Sequence, residues 1–176
     1  MNSTNLIYAP DVELDIEYIR TLVFDEQFKS QVGLAPHQRR VKDDHYMTSI
    51  RDQFPFLSEL YNIYTIHSGK GIPLHIDAAR NCAFNIPISG TEESDTIFYK
   101  LEDNVELEYD AARVYNLVRS PVTEIFRFVL LHPTLINNLI PHEVINRGIS
   151  NRVILSWSVQ QQYSFEHACV LFESSK

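Results

Sequence analysis

The chain has few cysteines and few glycines, no basic block and no long apolar run, and each shortage removes a class of protein. No apolar stretch approaches the roughly 18 residues that span a bilayer, so no membrane span is expected. The two cysteines, Cys82 and Cys169, lack metal-type spacing and are read as free core thiols rather than a disulfide. The opening residues, MNSTNLIYAPDVELD, contain no basic segment followed by an apolar one. A secretory signal is therefore not expected, and a cytoplasmic location is. Asp and Glu number 23 against 15 Lys and Arg, a net charge of −8. With no Lys/Arg-rich block, a nucleic-acid partner is not expected. P-loop, dinucleotide fingerprint, nucleophile elbow, internal repeat and low-complexity tract are all missing.

What is present is enough apolar sequence for one real core. The 176 residues, 44% hydrophobic, suit a single domain spanning 1–176. Its texture changes near residue 58. Before that point, in a helical part covering 1–57, DVELDIEYIRTLVFDEQF (11–28) places Leu14, Ile16, Ile19, Leu22 and Val23 on one broad stripe. This predicts an amphipathic helix capped by Asp11. DHYMTSIRDQF (44–54) predicts a second, ending before Pro55.

From 58 to 176, runs rich in Ile, Val, Tyr, Phe and Thr alternate with turn signals. They are LYNIYTIH, PLHID, CAFNIPI, TIFYKLE, VELEYD, ARVYNLV, EIFRFVLL, TLINNL, HEVIN, RVILSWSVQ and FEHACVLFE. Short strands at this spacing predict an all-β sandwich or barrel. Gly69, Gly71, Gly90 and Gly148 fall between the runs. The expected fold is mainly β, a jelly roll with N-terminal helices packed on it.

Two of these runs carry candidate chemistry. In GIPLHIDAARNCAFNIPISG (71–90), His75 and Asp77 are two apart on a strand and so point to one face. In LIPHEVINRGISNRVILSWSV, His142 enters a strand and Arg152 opens the next, with a turn at Gly148, Ser150 and Asn151 between them. His142 and Arg152 can therefore approach one cavity from two sides. Two His and one carboxylate on one face of a metal suit non-haem Fe(II) with open positions. Structural zinc, which takes four protein ligands, suits them less. A nearby guanidinium can clamp the far carboxylate of an acid whose other end chelates the metal.

His75-x-Asp77, then His142, then Arg152 ten residues on resembles the motif of the Fe(II)/2-oxoglutarate-dependent oxygenases. The resemblance covers about residues 59 to 160. It implies a double-stranded β-helix, with His75, Asp77 and His142 as iron ligands and Arg152 as partner of the 2-oxoglutarate C5 carboxylate. It implies dioxygen as the second co-substrate and hydroxylation as the outcome. Many relatives carry Ser or Thr two residues after the arginine. Here that position is Ile154, with Ser156 on the same face as a partial substitute. Tyr64 resembles a strand tyrosine that helps hold the co-substrate in some relatives. AFNIPI loosely resembles a strand of aspartyl/asparaginyl hydroxylase-like members, and Asn85 in it can face the cavity and hydrogen-bond a carboxylate.

The remaining candidates have blander readings. Arg147 is the alternative holder of the co-substrate, although a turn arginine is usually solvated. Arg80 can bind an anionic substrate or face solvent. His67 can reach the site, whereas His132 and His167 read as structural. Trp157 alternates to the face opposite Arg152 and reads as packing. Arg39, Arg40, Lys42, Asp43 and Asp44 read as a solvated loop or a lid.

Two rivals stand beside the oxygenase. One is a cupin-like dioxygenase or isomerase that needs no keto acid; such sites more often use three His or an added Glu. The other is a non-catalytic jelly-roll binding module. The substrate class stays open among small molecules, amino acids and peptide side chains.

Overall fold

The computed structural model describes residues 5–25, 38–102, 105–111 and 115–175. The chain runs β1 (Ile7–Tyr8), α1 (Ile16–Phe24), β2 (Gln38–Arg40), α2 (His45–Gln53), β3 (Leu57–Ile66), β4 (Gly71–Asp77), β5 (Cys82–Ser89) and β6 (Ser94–Leu101). It continues through β7 (Leu107–Asp110), β8 (Tyr115–Val118), β9 (Val122–Val129), β10 (Thr134–Asn137), β11 (His142–Asn146), β12 (Arg152–Val159) and α3 (Phe165–Ser174).

The strands form two six-stranded sheets, β1-β10-β5-β12-β3-β2 and β7-β8-β4-β11-β6-β9. All pairings are antiparallel. From β3 to β6 the chain changes sheet at every connection, and it does so again from β9 to β12. This winding, two strands from each half in each sheet, is that of a double-stranded β-helix, or jelly roll. The β7–β8 hairpin is an addition that extends the second sheet beyond β4.

The first sheet has two buried faces of different character. Its outer face meets the helices. Ile19 and Val23 of α1, Met47 and Ile50 of α2, and Phe165, Ala168 and Phe172 of α3 pack with Phe84, Ile86, Leu155 and Trp157. Period-2 alternation then turns Arg152, Ile154 and Ser156 toward the second sheet, inside the roll. Leu6 and Ile136 from the first sheet's end meet Phe98 of the second in a smaller apolar cluster.

Several local expectations change. FEHACVLFE is α3, not a strand. Phe165, Ala168 and Phe172 are its buried residues, a helical spacing, and Ser164 caps it by accepting from His167 N–H. The cap of α1 is Asp15, which accepts from Tyr18 N–H, rather than Asp11. Expected helical positions 26–28 lie outside the described residues. The N-terminal part is not wholly helical, because β1 and β2 add edge strands to the first sheet. Arg39 and Arg40 are therefore strand residues paired with β3, and Asp44 caps α2 at Met47 N–H. No described helix is long and apolar enough to cross a membrane.

Candidate functional site

β4 and β11 are neighbours in the second sheet, and their register sets His142 directly opposite His75. The two ring centroids lie 4.3 Å apart. Asp77, two residues along β4, shares the face of His75, with Oδ1 3.6 Å from His75 Nε2. All three side chains are buried. The imidazoles are held in the same way. His75 Nδ1 lies 2.8 Å from Pro73 O and His142 Nδ1 lies 2.9 Å from Ile140 O. A carbonyl only accepts, so each Nδ1 carries the proton and donates it, which leaves Nε2 as the free lone pair of the neutral ring. The structure thus brings the three expected ligands together at one end of the roll.

The charge state of this cluster follows from its neighbours. Burial pushes His142 down to about 4, and the nearby His75 adds to the effect. Burial pushes Asp77 up, but His75, Arg80 and His142 together outweigh it and hold the carboxyl at about 2. At neutral pH the cluster therefore offers an uncharged His142 ring and an ionised carboxylate, the protonation state that metal ligation requires.

Arg80 completes the cluster in a way the sequence did not disclose. Its Nη2 and Nε donate to Asp77 Oδ2 at 2.7 and 3.0 Å, and its Nη1 donates to Ser156 Oγ at 3.0 Å. It therefore spans from the second sheet to the first, and its guanidinium sits 5.8 Å from the Tyr64 ring centre. Asp77 Oδ1 stays clear of this ion pair. Among the described residues, no three His, Cys, Asp or Glu side chains already have their donors gathered around one metal position. The His75, Asp77 and His142 donor set nevertheless fits a divalent ion in type, with two imidazole Nε2 atoms and one carboxylate oxygen outside the Arg80 ion pair.

Arg152 lies inside the roll, 2% exposed. Its Nε and Nη1 are buried without a hydrogen-bond partner, and its Nη2 makes only a long 3.4 Å contact with Thr96 Oγ1. Burial alone pushes the guanidinium down to about 10. Orphaned donors of this kind cost roughly 1–3 kcal/mol each, more when charged. The level of the guanidinium is given by Thr96. Phe98 is opposite His142, and Thr96 is two residues further along β6, a rise of about 7 Å. The guanidinium thus sits one short molecule's length below the His–Asp–His cluster.

The other expected co-substrate residues lie on the same inner face at successive steps. Tyr64 pairs with Ile154, and Ser156 pairs with Asn62 on one side and Asn85 on the other. Arg147 is turned away: it is 57% exposed and pairs with Asp95 at 2.6 Å on the outside of the second sheet. His67 and His132 are exposed, and His167 is an exposed residue of α3 that meets Tyr163 edge to face. Trp157 is fully buried on the helix side, where its Nε1 donates to Ser58 O at 2.7 Å. A cavity of about 1220 Å³ also lies on that side, lined by Val23, Phe24, Ile63, Thr65 and Val153, and it includes none of the cluster.

Two site residues were missed from sequence, Thr96 and the pairing role of Arg80. Arg80 had a signal, its position three residues after Asp77. Thr96 had none, since its nearness to Arg152 depends on how the two sheets face each other.

No family model matches the chain, and no curated protein matches it. Solved structures do. A prolyl-4-hydroxylase from Pseudomonas putida is 12% identical over 90% of this chain and 89% of its own, with a TM-score of 0.49. The non-haem alpha-ketoglutarate-dependent carbocyclase SnoK of nogalamycin biosynthesis is 11% identical over 89% of this chain and 81% of its own, with a TM-score of 0.48. An uncharacterised conserved protein with a double-stranded β-helix domain from Klebsiella pneumoniae is 14% identical over 57% of this chain, with a TM-score of 0.29. The chain spans 65% of that protein's length. These are distant likenesses, and the fold rests on the strand order above.

Proposed function

We propose that the protein is an Fe(II)- and 2-oxoglutarate-dependent oxygenase that hydroxylates a small molecule, an amino acid or a peptide side chain. The observation that carries this reading is Arg152, a buried guanidinium with two unpartnered nitrogens below a His–Asp–His cluster. An uncompensated buried charge is costly, so it calls for an anion that the chain does not itself provide. The anion's other end has to meet the metal about 7 Å away, which suits a five-carbon diacid. Charge balance favours the same answer. Arg80 and Arg152 outnumber Asp77, and a divalent ion adds more positive charge, which a dianion offsets.

In this reading His75 Nε2, Asp77 Oδ1 and His142 Nε2 hold the metal. The carbonyls of Pro73 and Ile140 fix the ring orientations, and Arg80 restrains Asp77 by its other oxygen. Arg152 takes the C5 carboxylate, with Thr96 beside it, and Tyr64 walls the space one step above. When bound, Fe(II) supplies dioxygen chemistry in which 2-oxoglutarate is oxidatively decarboxylated to succinate and one oxygen atom enters a C–H bond of the substrate. The chain's own part is to orient the diacid, keep the ligands in their metal-binding protonation states and exclude water.

Calorimetric titration with Mn(II), then 2-oxoglutarate, tests this. Wild type is expected to bind one metal and then the diacid. Arg152→Lys is expected to keep the metal but lose roughly 2–5 kcal/mol of diacid affinity, since lysine cannot supply two parallel hydrogen bonds. Unchanged diacid affinity in Arg152→Lys, or metal binding unaffected by His75→Ala, overturns the reading.

A further inference from the structure

Across the inner face of the first sheet runs a row of polar residues in exact cross-strand register. Asn62 of β3 faces Ser156 of β12, Ser156 faces Asn85 of β5, and Asn85 faces Thr134 of β10. Directly opposed residues in an antiparallel sheet share a face. That this face is the inner one follows from Ser156, whose hydroxyl receives Arg80 from the second sheet. The row therefore lies at the level of Asp77 and Arg80, across the roll from the His–Asp–His cluster.

Two members of the row are unsatisfied. Asn62 and Asn85 are 9% and 7% exposed, and the Oδ1 atom of each is buried with no hydrogen-bond partner. A buried carbonyl oxygen is normally paired. These two stand on the strands either side of β12, about 10 Å apart at the backbone. Between them Ser156 has the shorter side chain, and its oxygen is already engaged. The result is a pair of buried, unpartnered acceptors flanking Ser156.

The charge at this level is balanced. Arg80 is spent on Asp77 and Ser156, so the row has no free ion to attract an anion or a cation. What fits is a neutral planar group that donates two N–H bonds in diverging directions and also accepts from the Asn Nδ2 groups. A primary carboxamide has that pattern. A carboxylate does not, because its oxygens would meet the two carbonyls.

We propose that Asn62, Ser156 and Asn85 form the recognition site for a carboxamide group on the second substrate, an assignment that rests on the oxygenase reading for its role. It moves Asn85 and Ser156 from the co-substrate, whose guanidinium anchor lies four residues along β12 from Ser156, to the substrate. The second substrate is then an amide-bearing compound whose oxidised carbon lies between this row and the metal cluster.

The test uses the full chain and three isosteric probes: propionamide, propionate and propylammonium. Saturation-transfer NMR on the metal-free protein ranks their binding without relying on the metal, and separate calorimetry follows Mn(II) and 2-oxoglutarate. Propionamide is expected to bind best. Asn62→Ala and Asn85→Ala are each expected to weaken it by about fivefold to tenfold, the loss of one hydrogen bond, with 2-oxoglutarate affinity unchanged. Asn85→Leu, nearly isosteric and without the acceptor, is expected to weaken propionamide and keep the fold. Equal binding of the three probes, or no loss in either alanine variant, overturns the proposal. So does loss of 2-oxoglutarate in place of propionamide, which returns the row to the co-substrate. Failure of Mn(II) or 2-oxoglutarate to bind wild type removes the oxygenase reading, while the probe ranking still decides the amide site.

Discussion

The two faces of β12 are equally hidden from water and unequally served. On the helix side, Val153, Leu155, Trp157 and Val159 sit in the large apolar cluster, and the one polar atom there, Trp157 Nε1, is hydrogen-bonded. On the inner side, Arg152 and Ser156 are just as buried, yet Arg152 keeps two nitrogens unpartnered. Burial alone does not separate core from site. On β12 the satisfaction of buried polar atoms separates the two faces, because a core that leaves charge unpaired gives up stability unless a ligand restores the balance.

The largest expected effect tests the helix side. Trp157→Ala should cost about 3–5 kcal/mol in urea unfolding, from lost packing and a cavity. Where the variant stays folded, metal and diacid affinity should be kept. Loss of ligand binding in a folded Trp157→Ala protein would break the division between the faces.

Next in size is an acid effect from the inner cluster. His142 titrates at about 4 in the fold, below the roughly 6.5 of a free imidazole. As pH falls, the unfolded chain takes up this proton first, so metal-free stability should drop between about pH 6.5 and 4, by roughly 3 kcal/mol. Asp77, held at about 2, adds a further loss only at lower pH, from its ordinary value of roughly 3.9 downward. Urea titrations across this range should show a clearly flatter profile for His142→Gln. An unchanged slope would mean that another group carries the acid sensitivity.

The third effect has the opposite sign from an ordinary core mutation. Arg152→Met removes an uncompensated charge and keeps most of the volume, so the ligand-free protein should gain roughly 1–3 kcal/mol. It should also lose 2-oxoglutarate binding. Destabilisation comparable to that of Trp157→Ala would show that the inner face is ordinary core. The smallest effect is a reference for the helix side. Asp44→Ala removes the cap of α2 at Met47 N–H, which should cost about 1 kcal/mol and leave ligand binding alone.

The sequence made the inner face of the roll more legible than its surroundings. Period-2 alternation placed Arg152 and Ser156 opposite Trp157, and the β-branched runs located the eight strands of the roll to within a few residues. That His75 and Asp77 share a face was readable because the H-x-D spacing fixes it by itself. α3 was misread because an isolated run such as FEHACVLFE is dense in apolar residues, and a helical spacing of three and four is easily taken for a strand. The place of Asn62 beside Ser156 and the reach of Arg80 to Ser156 were not legible. Each depends on register between strands far apart in the chain, which no local pattern encodes. Arg39 and Arg40 were also misjudged, since joining a sheet as its edge strand leaves no mark in composition.

The added β7–β8 hairpin gives β4, the strand of His75 and Asp77, a neighbour on each side. β8 pairs His75 with Leu117 and Asp77 with Tyr115, and the Tyr115 ring lies 4.4 Å from the His75 ring. Without the hairpin β4 would be the rim of its sheet, free to fray. With it, the backbone amides around His75 should be among the slow ones in hydrogen exchange, and the hairpin becomes a lever. Anything that grips its exposed Leu107 and Tyr109 pulls directly on the strand that carries His75 and Asp77.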